Sequence, residues 1–313
     1  MTVKIVTDSA SDLPPELAKE LDITIVPARV IFNNKSYRDG VDISQDEVYH
    51  KMVDESIPAT TSQPPPGDFA SVYKKLLKEA ENIISIQTTS KLSGIYNSAL
   101  QGKEMANGID RIEVIDSTST SMGLGLIALM AARLAKAGED FSKIIEETRN
   151  AIPHAHTWAY FDTLKYLFQG GRLGKAKTLL GSMLPVKALL VMRDGELHPS
   201  GLVRTRTMGI ERLIENFKKA VEVQEAAVVY STTPDDAITL KERISTVFDK
   251  SPIHVSRIGP ALGVHGGPGT LILALREKVT DIGQEATIAD RLKKHISLPS
   301  IRRPKLSFSR LLP

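Results

Sequence analysis

The chain has 313 residues, of which 42% are apolar and 25% are charged, a composition typical of a folded globular protein of about two domains. It contains no cysteine, which excludes disulfides, thiolate metal sites and thiol nucleophiles and fits a reducing compartment. The formal charge of +3 includes seven basic residues and no acid within residues 291–313, so residues 1–290 carry −4. A body without a basic excess argues against a nucleic-acid-binding protein.

The N-terminal segment predicts no secretory leader, because MTVKIVTDSA lacks a basic region followed by an apolar core. The longest apolar stretch, residues 122–132, is too short to span a bilayer. We therefore expect a cytoplasmic protein without stable membrane insertion.

Strands alternate with helices in the N-terminal half of the chain. Apolar, β-rich runs predict strands at 3–6, 23–32, 83–87 and 111–115. The last two are each followed by a loop rich in Ser and Thr and then by a helical pattern, which is typical of parallel βαβ units. Ligands of open α/β sheets bind at the carboxyl ends of such strands. We therefore expect residues 1–156 to form an N-terminal α/β domain that carries the binding loops.

The remaining chain predicts a second α/β domain over residues 157–284, with a mixed or antiparallel sheet. Its clearest signal is a β-hairpin, in which strands at 188–192 and 197–203 flank an Asp-Gly pair. A basic, Pro-containing tail over 285–313 shows little apolar periodicity and is predicted to be a loosely attached extension.

Several enzyme signatures are absent or incomplete. The sequence has no G-x-x-x-x-G-K-[ST] phosphate loop, no G-x-S-x-G nucleophile and no H-E-x-x-H zinc motif. Residues 123–128 match G-x-G-x-x-A, but no acidic residue ends a strand about 20 residues later, which favours close helix packing over dinucleotide binding. His154 and His156 form the only close histidine pair and have no third ligand nearby in sequence, so no metal site is expected.

Three loops remain as candidate binding segments. Residues 57–68 hold Thr-Thr-Ser-Gln among four prolines, and residues 88–94 place two serines between a buried strand and a helix start. Free amides at a helix start favour an anion. Residues 258–269 hold five glycines, two prolines and His265. Each loop alone is better explained as a helix cap or a surface crossing, but the combination indicates a site.

These segments, in this order, resemble the DegV family. The matching runs are TDS at 7–9 with Asp12-Leu13, TTSQP at 60–64, LSGIYNSA at 92–99, GGR at 170–172, VRTR at 203–206 and the glycine-rich loop at 259–269. The resemblance covers about residues 3–280, and the order of several motifs makes it specific. It implies a protein of two α/β domains that binds a long-chain fatty acid in a tunnel between them and is not itself an enzyme.

The resemblance also implies roles for particular residues. The carboxylate of the fatty acid is expected at the hydroxyls of Thr61 and Ser93, with second contacts from Ser62, the amide of Gly94 and His265. Some members of the family are similar to the fatty-acid-binding subunit of a bacterial fatty acid kinase. Such a subunit presents the carboxylate to a separate ATP-binding subunit, which makes an acyl phosphate. No cofactor is expected apart from the bound fatty acid.

Arg172, Arg204 and Arg206 stand in the matching motifs and are expected near the mouth of the pocket, where they dock the kinase subunit or attract its phosphates. The alternative interpretation is that they are solvated surface arginines. His265 is open to three interpretations, as a contact of the carboxylate, a structural residue or a general acid or base.

Two other kinds of function stay open at this point. One is a small-molecule kinase or other phosphate-handling α/β enzyme that uses the glycine-rich loop and His265, and turnover of ATP by the purified chain would favour it. The other is an interaction or membrane-surface protein that uses residues 291–313, and salt-sensitive binding to liposomes would favour that.

Overall fold

The computed structural model describes residues 2–181, 187–248 and 252–279, and the tail predicted over 285–313 lies outside them. In these ranges the strands are β1 (Val3–Asp8), β2 (Ile23–Val26), β3 (Arg29–Phe32), β4 (Lys35–Arg38), β5 (Ala59–Ser62), β6 (Asn82–Gln87), β7 (Ile112–Asp116), β8 (Ala155–Phe161), β9 (Lys187–Arg193), β10 (Glu196–Val203), β11 (Val223–Tyr230), β12 (Ile253–Arg257) and β13 (Leu271–Glu277). The α-helices are α1 (Pro15–Glu20), α2 (Gln45–Tyr49), α3 (Pro66–Leu76), α4 (Ile95–Met105), α5 (Met122–Lys136), α6 (Phe141–Ala151), α7 (Lys165–Gln169), α8 (Arg206–Phe217), α9 (Pro234–Ser245) and α10 (Pro260–Gly266). Short 3-10 or π-helical segments lie at Ser9–Ser11, His50–Asp54, Ile152–His154 and Gly174–Gly181.

The first sheet is parallel throughout, with the strand order β2-β1-β6-β7. β1 pairs with β2 from Ile5 opposite Ile23, and β6 pairs with β7 from Ile83 opposite Ile112. Because parallel strands end at the same edge of a sheet, the loops after β1, β6 and β7 lie together at that edge. This arrangement confirms the parallel βαβ organisation predicted for the N-terminal half.

The strand predicted over 23–32 is wrong in one respect, because the structure divides it between two sheets. Pro27 and Ala28 separate β2, in the first sheet, from β3, in a small antiparallel sheet with the order β4-β3-β5. Pro27 has no amide hydrogen to donate to a neighbouring strand, which explains the break.

The small sheet also changes the expectation for the Pro-rich segment. Residues 59–62, predicted as part of a loop, form β5, and Thr61 lies opposite Val30 of β3. Thr61 is therefore held in place by a hydrogen-bonded sheet.

The second sheet is mixed, with the strand order β10-β9-β8-β13-β11-β12. β11 and β12 are parallel, and the other neighbouring pairs are antiparallel. The hairpin predicted between β9 and β10 is present, and its turn residues Asp194 and Gly195 both have positive φ, of 50° and 79°. Positive φ at both positions is characteristic of a tight hairpin turn. The sheet therefore confirms the mixed topology predicted for the second half.

α5 fills much of the space between these two large sheets. It contacts β1 and β6 on one side and β8, β11 and β13 on the other, and ten of its residues are buried. A Cβ atom at Gly123 would collide with the hydroxyls of Thr157 and Ser119, so the missing side chain lets helix and sheet approach closely. The glycines of this segment thus serve packing.

Met1–Val279 form one compact unit that contains all three sheets. The boundary predicted after residue 156 falls within β8, and the division into domains stays a prediction. Within the described ranges, no helix is both long and apolar enough to cross a membrane.

Candidate functional site

An apolar cavity lies between the two large sheets, beside the start of α5. Its walls include Ala10 and Leu92 from loops that follow β1 and β6, and Phe161 and Met192 from β8 and β9. Ser121, the residue before α5, lines the cavity as well. α5 thus separates the two large sheets over part of their width, and the cavity lies between them beside this helix.

Thr61 and His265 meet at the wall of this cavity, although they are 204 residues apart in sequence. Oγ1 of Thr61 lies 2.7 Å from Nε2 of His265, which stands in the last turn of α10. Nδ1 of His265 is buried and has no hydrogen-bond partner among the described residues. Burial and, to a smaller extent, the charge of Arg172 lower the pKa of His265 to about 4, so its ring is neutral near pH 7.

The GGR motif packs directly against His265. A Cβ atom at Gly170 would collide with the imidazole ring, so only glycine leaves room for the histidine. Arg172 donates from Nη1 to the carbonyl of Gly170 at 2.6 Å and from Nε to the carbonyl of Leu92 at 3.2 Å. Arg172 lines the cavity, so the structure brings this predicted residue to the site.

Ser93 and Gly94 lie at the start of α4, beside the strand that carries Thr61. The hydroxyl of Ser93 accepts a hydrogen bond from the amide of Ile95 at 3.3 Å, and Ser93 also lines the cavity. A Cβ atom at Gly94 would lie 2.9 Å from Cδ of Gln63. This close approach joins the Thr-Thr-Ser-Gln segment to the helix start, and Ser62 and Gln63 line the cavity too.

Sequence reasoning missed several polar residues of the cavity. Gln63 was not selected, nor were the hydroxyl side chains that the structure adds to the wall, namely Thr88, Thr120, Ser121, Thr157 and Thr270. The Ser- and Thr-rich loops after the strands were the available signal. They pointed to the correct edge of the first sheet without distinguishing lining residues from exposed ones.

Arg204 and Arg206 do not line the cavity. Arg204 is exposed, whereas the guanidinium of Arg206 binds Asp162 at 3.0 Å, Asp236 at 2.6 Å and the carbonyl of Gly269 at 2.8 Å. Arg206 therefore supports the glycine-rich loop through contacts within the chain. A docking role for either arginine stays a prediction.

The charges around the cavity favour one kind of ligand. None of the described residues that line it is acidic, and Arg172 is the one with a permanent positive charge. The hydroxyls of Thr61 and Ser93 and the start of α4 provide neutral donors. A molecule with a long apolar body and a single anionic group matches this arrangement.

Comparison with known proteins agrees with the motifs. The family described as uncharacterised protein, DegV family, matches residues 2–278. A DegV domain-containing protein of Caldanaerobacter subterraneus subsp. tengcongensis is 34% identical over 279 residues, which cover 88% of this chain and 99% of its own. The structure of DegV, a fatty acid binding protein from Bacillus subtilis, is 30% identical, covers 89% of this chain and all of its own, and has a TM-score of 0.80. A stearic-acid-binding protein from Eubacterium ventriosum is 29% identical, covers 88% of this chain and 99% of its own, and has a TM-score of 0.83. The chain therefore belongs to the DegV family.

Proposed function

We propose that this protein binds a long-chain fatty acid, with the acyl chain in the cavity between the sheets and the carboxylate at Thr61, Ser93 and His265. The observation that carries the proposal is an apolar cavity at whose wall Thr61 and His265 meet. The fatty-acid-binding proteins from Bacillus subtilis and Eubacterium ventriosum support it, because they share this fold over nearly the whole of their own chains.

The acyl chain provides most of the binding free energy in this proposal. About 14 methylenes, at about 0.8 kcal/mol each, contribute roughly 11 kcal/mol when fully buried, before the costs of association. Walls such as Ala10, Phe161 and Met192 offer the apolar surface for that burial. Tight binding therefore needs few polar contacts.

The carboxylate needs donors, because a buried carboxylate without hydrogen bonds is strongly unfavourable. The hydroxyls of Thr61 and Ser93 donate to it, and Ser62 and the amide of Gly94 make second contacts. A carboxylate beside His265 favours the protonated ring and therefore raises the pKa of this histidine from its lowered value.

We also infer that the protein presents the carboxylate to a separate, ATP-dependent kinase subunit and is the non-catalytic partner in acyl-phosphate formation. The half-buried Arg172 supports this inference, since it places a positive charge at the cavity wall next to His265. Arg204 is exposed and available to a partner, whereas Arg206 is engaged within the chain. The cytoplasmic location predicted from the sequence suits such a role.

The direct test is native mass spectrometry of the freshly purified protein, followed by lipid extraction. We expect one fatty acid per chain. In delipidated protein, Thr61→Ala should weaken palmitate binding by roughly 1–3 kcal/mol, the value of one lost donor to a charged group. Thr60→Ala is the matched control, because Thr60 is the exposed neighbour on β5 and points to the other face.

Two results would contradict the proposal. One is a protein that neither retains a fatty acid nor takes up palmitate or oleate. The other is equal affinity in the Thr61→Ala, Ser93→Ala and Thr60→Ala variants, which would place the carboxylate elsewhere.

A further inference from the structure

The position of His265 depends on where α10 begins. Gly259, the N-cap of this helix, has no side chain with which to cap it, and Pro260 has no amide hydrogen. The donors at the start of α10 must therefore find acceptors in another part of the chain.

Two aspartates from the N-terminal half provide these acceptors. One oxygen of Asp12 accepts from the amide of Gly259 at 2.7 Å, and Asp39 accepts from the amide of Ala261 at 3.3 Å. The other oxygen of Asp12 accepts from the hydroxyl of Ser121 at 2.6 Å. Ser121 is the N-cap of α5 and lines the cavity. A single carboxylate thus joins the helix that carries His265 to the helix beside the cavity.

The backbone of Asp12 contributes to the same junction. Its carbonyl accepts from the hydroxyl of Ser256 on β12 at 2.5 Å. Its φ of 50° lies in the left-handed region, which aspartate and asparagine adopt more readily than most residues. Asp12 is 6% exposed, and no Lys, Arg or His of the described chain pairs with it. Among the described residues, Asp12 is therefore held by hydrogen bonds from neutral groups.

We propose that Asp12 is a positioning residue for fatty-acid binding, which fixes His265 at the cavity by holding the start of α10 against the start of α5. This inference rests on the proposed function, since His265 contacts the carboxylate of the ligand there. Asp12 is absent from the described cavity wall. Removing its carboxylate therefore deletes no side chain that lines the cavity and changes how the starts of α10 and α5 are held.

Three variants of the full-length, delipidated protein test this role. Asp12→Gly removes the carboxylate and tolerates the left-handed backbone. Asp12→Asn keeps the shape, an acceptor oxygen for the Gly259 amide and a group that can bond to Ser121. Asp22→Gly is the matched control, because Asp22 also has a positive φ, of 55°, but its side chain is exposed.

Two quantities are measured for each variant, namely the affinity for palmitate and the pKa of His265 by NMR. We expect Asp12→Gly to weaken palmitate binding at least tenfold and to move the pKa of His265 from about 4 toward 6.5, because the ring loses its buried position. Asp12→Asn should restore most of the affinity and the lowered pKa, and Asp22→Gly should match the wild type.

The proposal is overturned if Asp12→Gly binds palmitate like the wild type and leaves the pKa of His265 unchanged. If Asp12→Gly does not fold, Asp12→Ser takes its place, because its one oxygen lies a bond closer to the backbone than the carboxylate oxygens and cannot reach both partners, and wild-type behaviour of that variant would overturn the proposal equally. If the wild type itself binds no fatty acid, the proposed function fails. The pKa of His265 then still decides whether Asp12 positions the helix.

Discussion

Buried carboxylates hold both ends of α5, and their partners are neutral at one end and cationic at the other. At the N-terminal end Asp12 accepts from the hydroxyl of Ser121, with no cationic partner among the described residues. Toward the C-terminal end Glu225, 2% exposed, accepts from both Nη atoms of Arg133 at 2.7 Å and lies 2.7 Å from Nε2 of His254. Burial disfavours the charged form of any carboxylate, so the partners determine the outcome.

The pKa values of the two groups diverge accordingly. Burial raises the pKa of Asp12 to about 7 and those of Asp8 and Asp39 to about 6, although hydrogen bonds from amides and hydroxyls oppose the change. Burial acts on Glu225 in the same direction, but hydrogen bonds from its histidine and arginine partners outweigh it and lower the pKa to about 2. Neutral donors thus hold a buried carboxylate in place but leave its pKa raised, whereas a guanidinium holds the carboxylate and also lowers its pKa.

The largest effect is expected from Glu225→Gln. This change leaves Arg133, His254 and the more distant Arg276 facing a neutral amide, and breaking a buried ion pair costs about 3–5 kcal/mol. We expect a loss of roughly 3 kcal/mol in the free energy of unfolding, because Arg133 is 42% exposed and solvent screens part of the effect. Urea denaturation measures it.

Glu211→Gln provides the matched control for this variant. Glu211 also forms a two-pronged pair with an arginine, Arg243, but both side chains are more than 40% exposed. Its loss of stability should be much smaller, since exposed ion pairs contribute little. Equal losses of unfolding free energy in the two variants would show that burial does not increase the contribution of Glu225 to stability.

A smaller effect is expected in the pH dependence of the free energy of unfolding, in which the carboxylates at the two ends of α5 differ. A carboxyl whose pKa is raised on folding stabilises the native state below its unfolded pKa, and this contribution is lost as the pH rises through the native pKa. The free energy of unfolding should therefore receive a falling contribution from Asp12 between about pH 4 and 7. The slope is at most about 1.4 kcal/mol per pH unit for one group.

Asp12→Asn isolates that contribution. The wild type should lose stability relative to this variant as the pH rises from 4 to 7, as measured by urea denaturation at each pH. Glu225→Gln should differ from the wild type in the opposite sense, with the contribution of Glu225 lost as the pH falls from about 4.5 toward 2. Parallel pH profiles for Asp12→Asn and the wild type would contradict the raised pKa of Asp12.

The smallest effect is expected from His254→Gln. The new amide can still donate to Glu225, and the two bonds from Arg133 remain, so we expect a loss of about 1 kcal/mol, the usual value of one hydrogen bond. His198→Gln on β10 is the control, because His198 pairs with no acid in the described residues. A loss as large as that of Glu225→Gln would mean that His254, and not Arg133, keeps Glu225 charged.

Local signals predicted the fold well. The strand–loop–helix alternation led to the parallel sheet, and the Asp-Gly pair led to the hairpin of the second sheet. Pro27 could have revealed the break between β2 and β3, because proline disrupts a continuous strand. The contact between Thr61 and His265 had no local signal, since 204 residues separate them, and only the resemblance to the DegV family placed them in one site.

The burial and pairing of the acidic residues could not be predicted for a different reason. Asp12 follows a hydroxyl-rich turn that looks exposed in sequence, and its burial depends on α5 and α10, which are distant in the chain. Arg206 was expected near the mouth of the pocket, and its pairing with Asp162 and Asp236 was not predicted, because these acids stand 44 and 30 residues away. Pairing at such separations follows from topology, which composition and spacing do not encode.

α5 and the cavity share one layer between the large sheets, and a ligand in the cavity therefore contributes to the structure of the protein. In the proposed function, the acyl chain lies in this layer next to the start of α5 at Met122. There it packs against apolar residues of both large sheets and becomes part of the core. Ser121, the residue before α5, forms part of the cavity wall, so the position of the helix start affects the space available to the chain. Each exchange of fatty acid replaces a component of the protein interior, and lengthening or shortening this helix by one turn would change the size of lipid that fits.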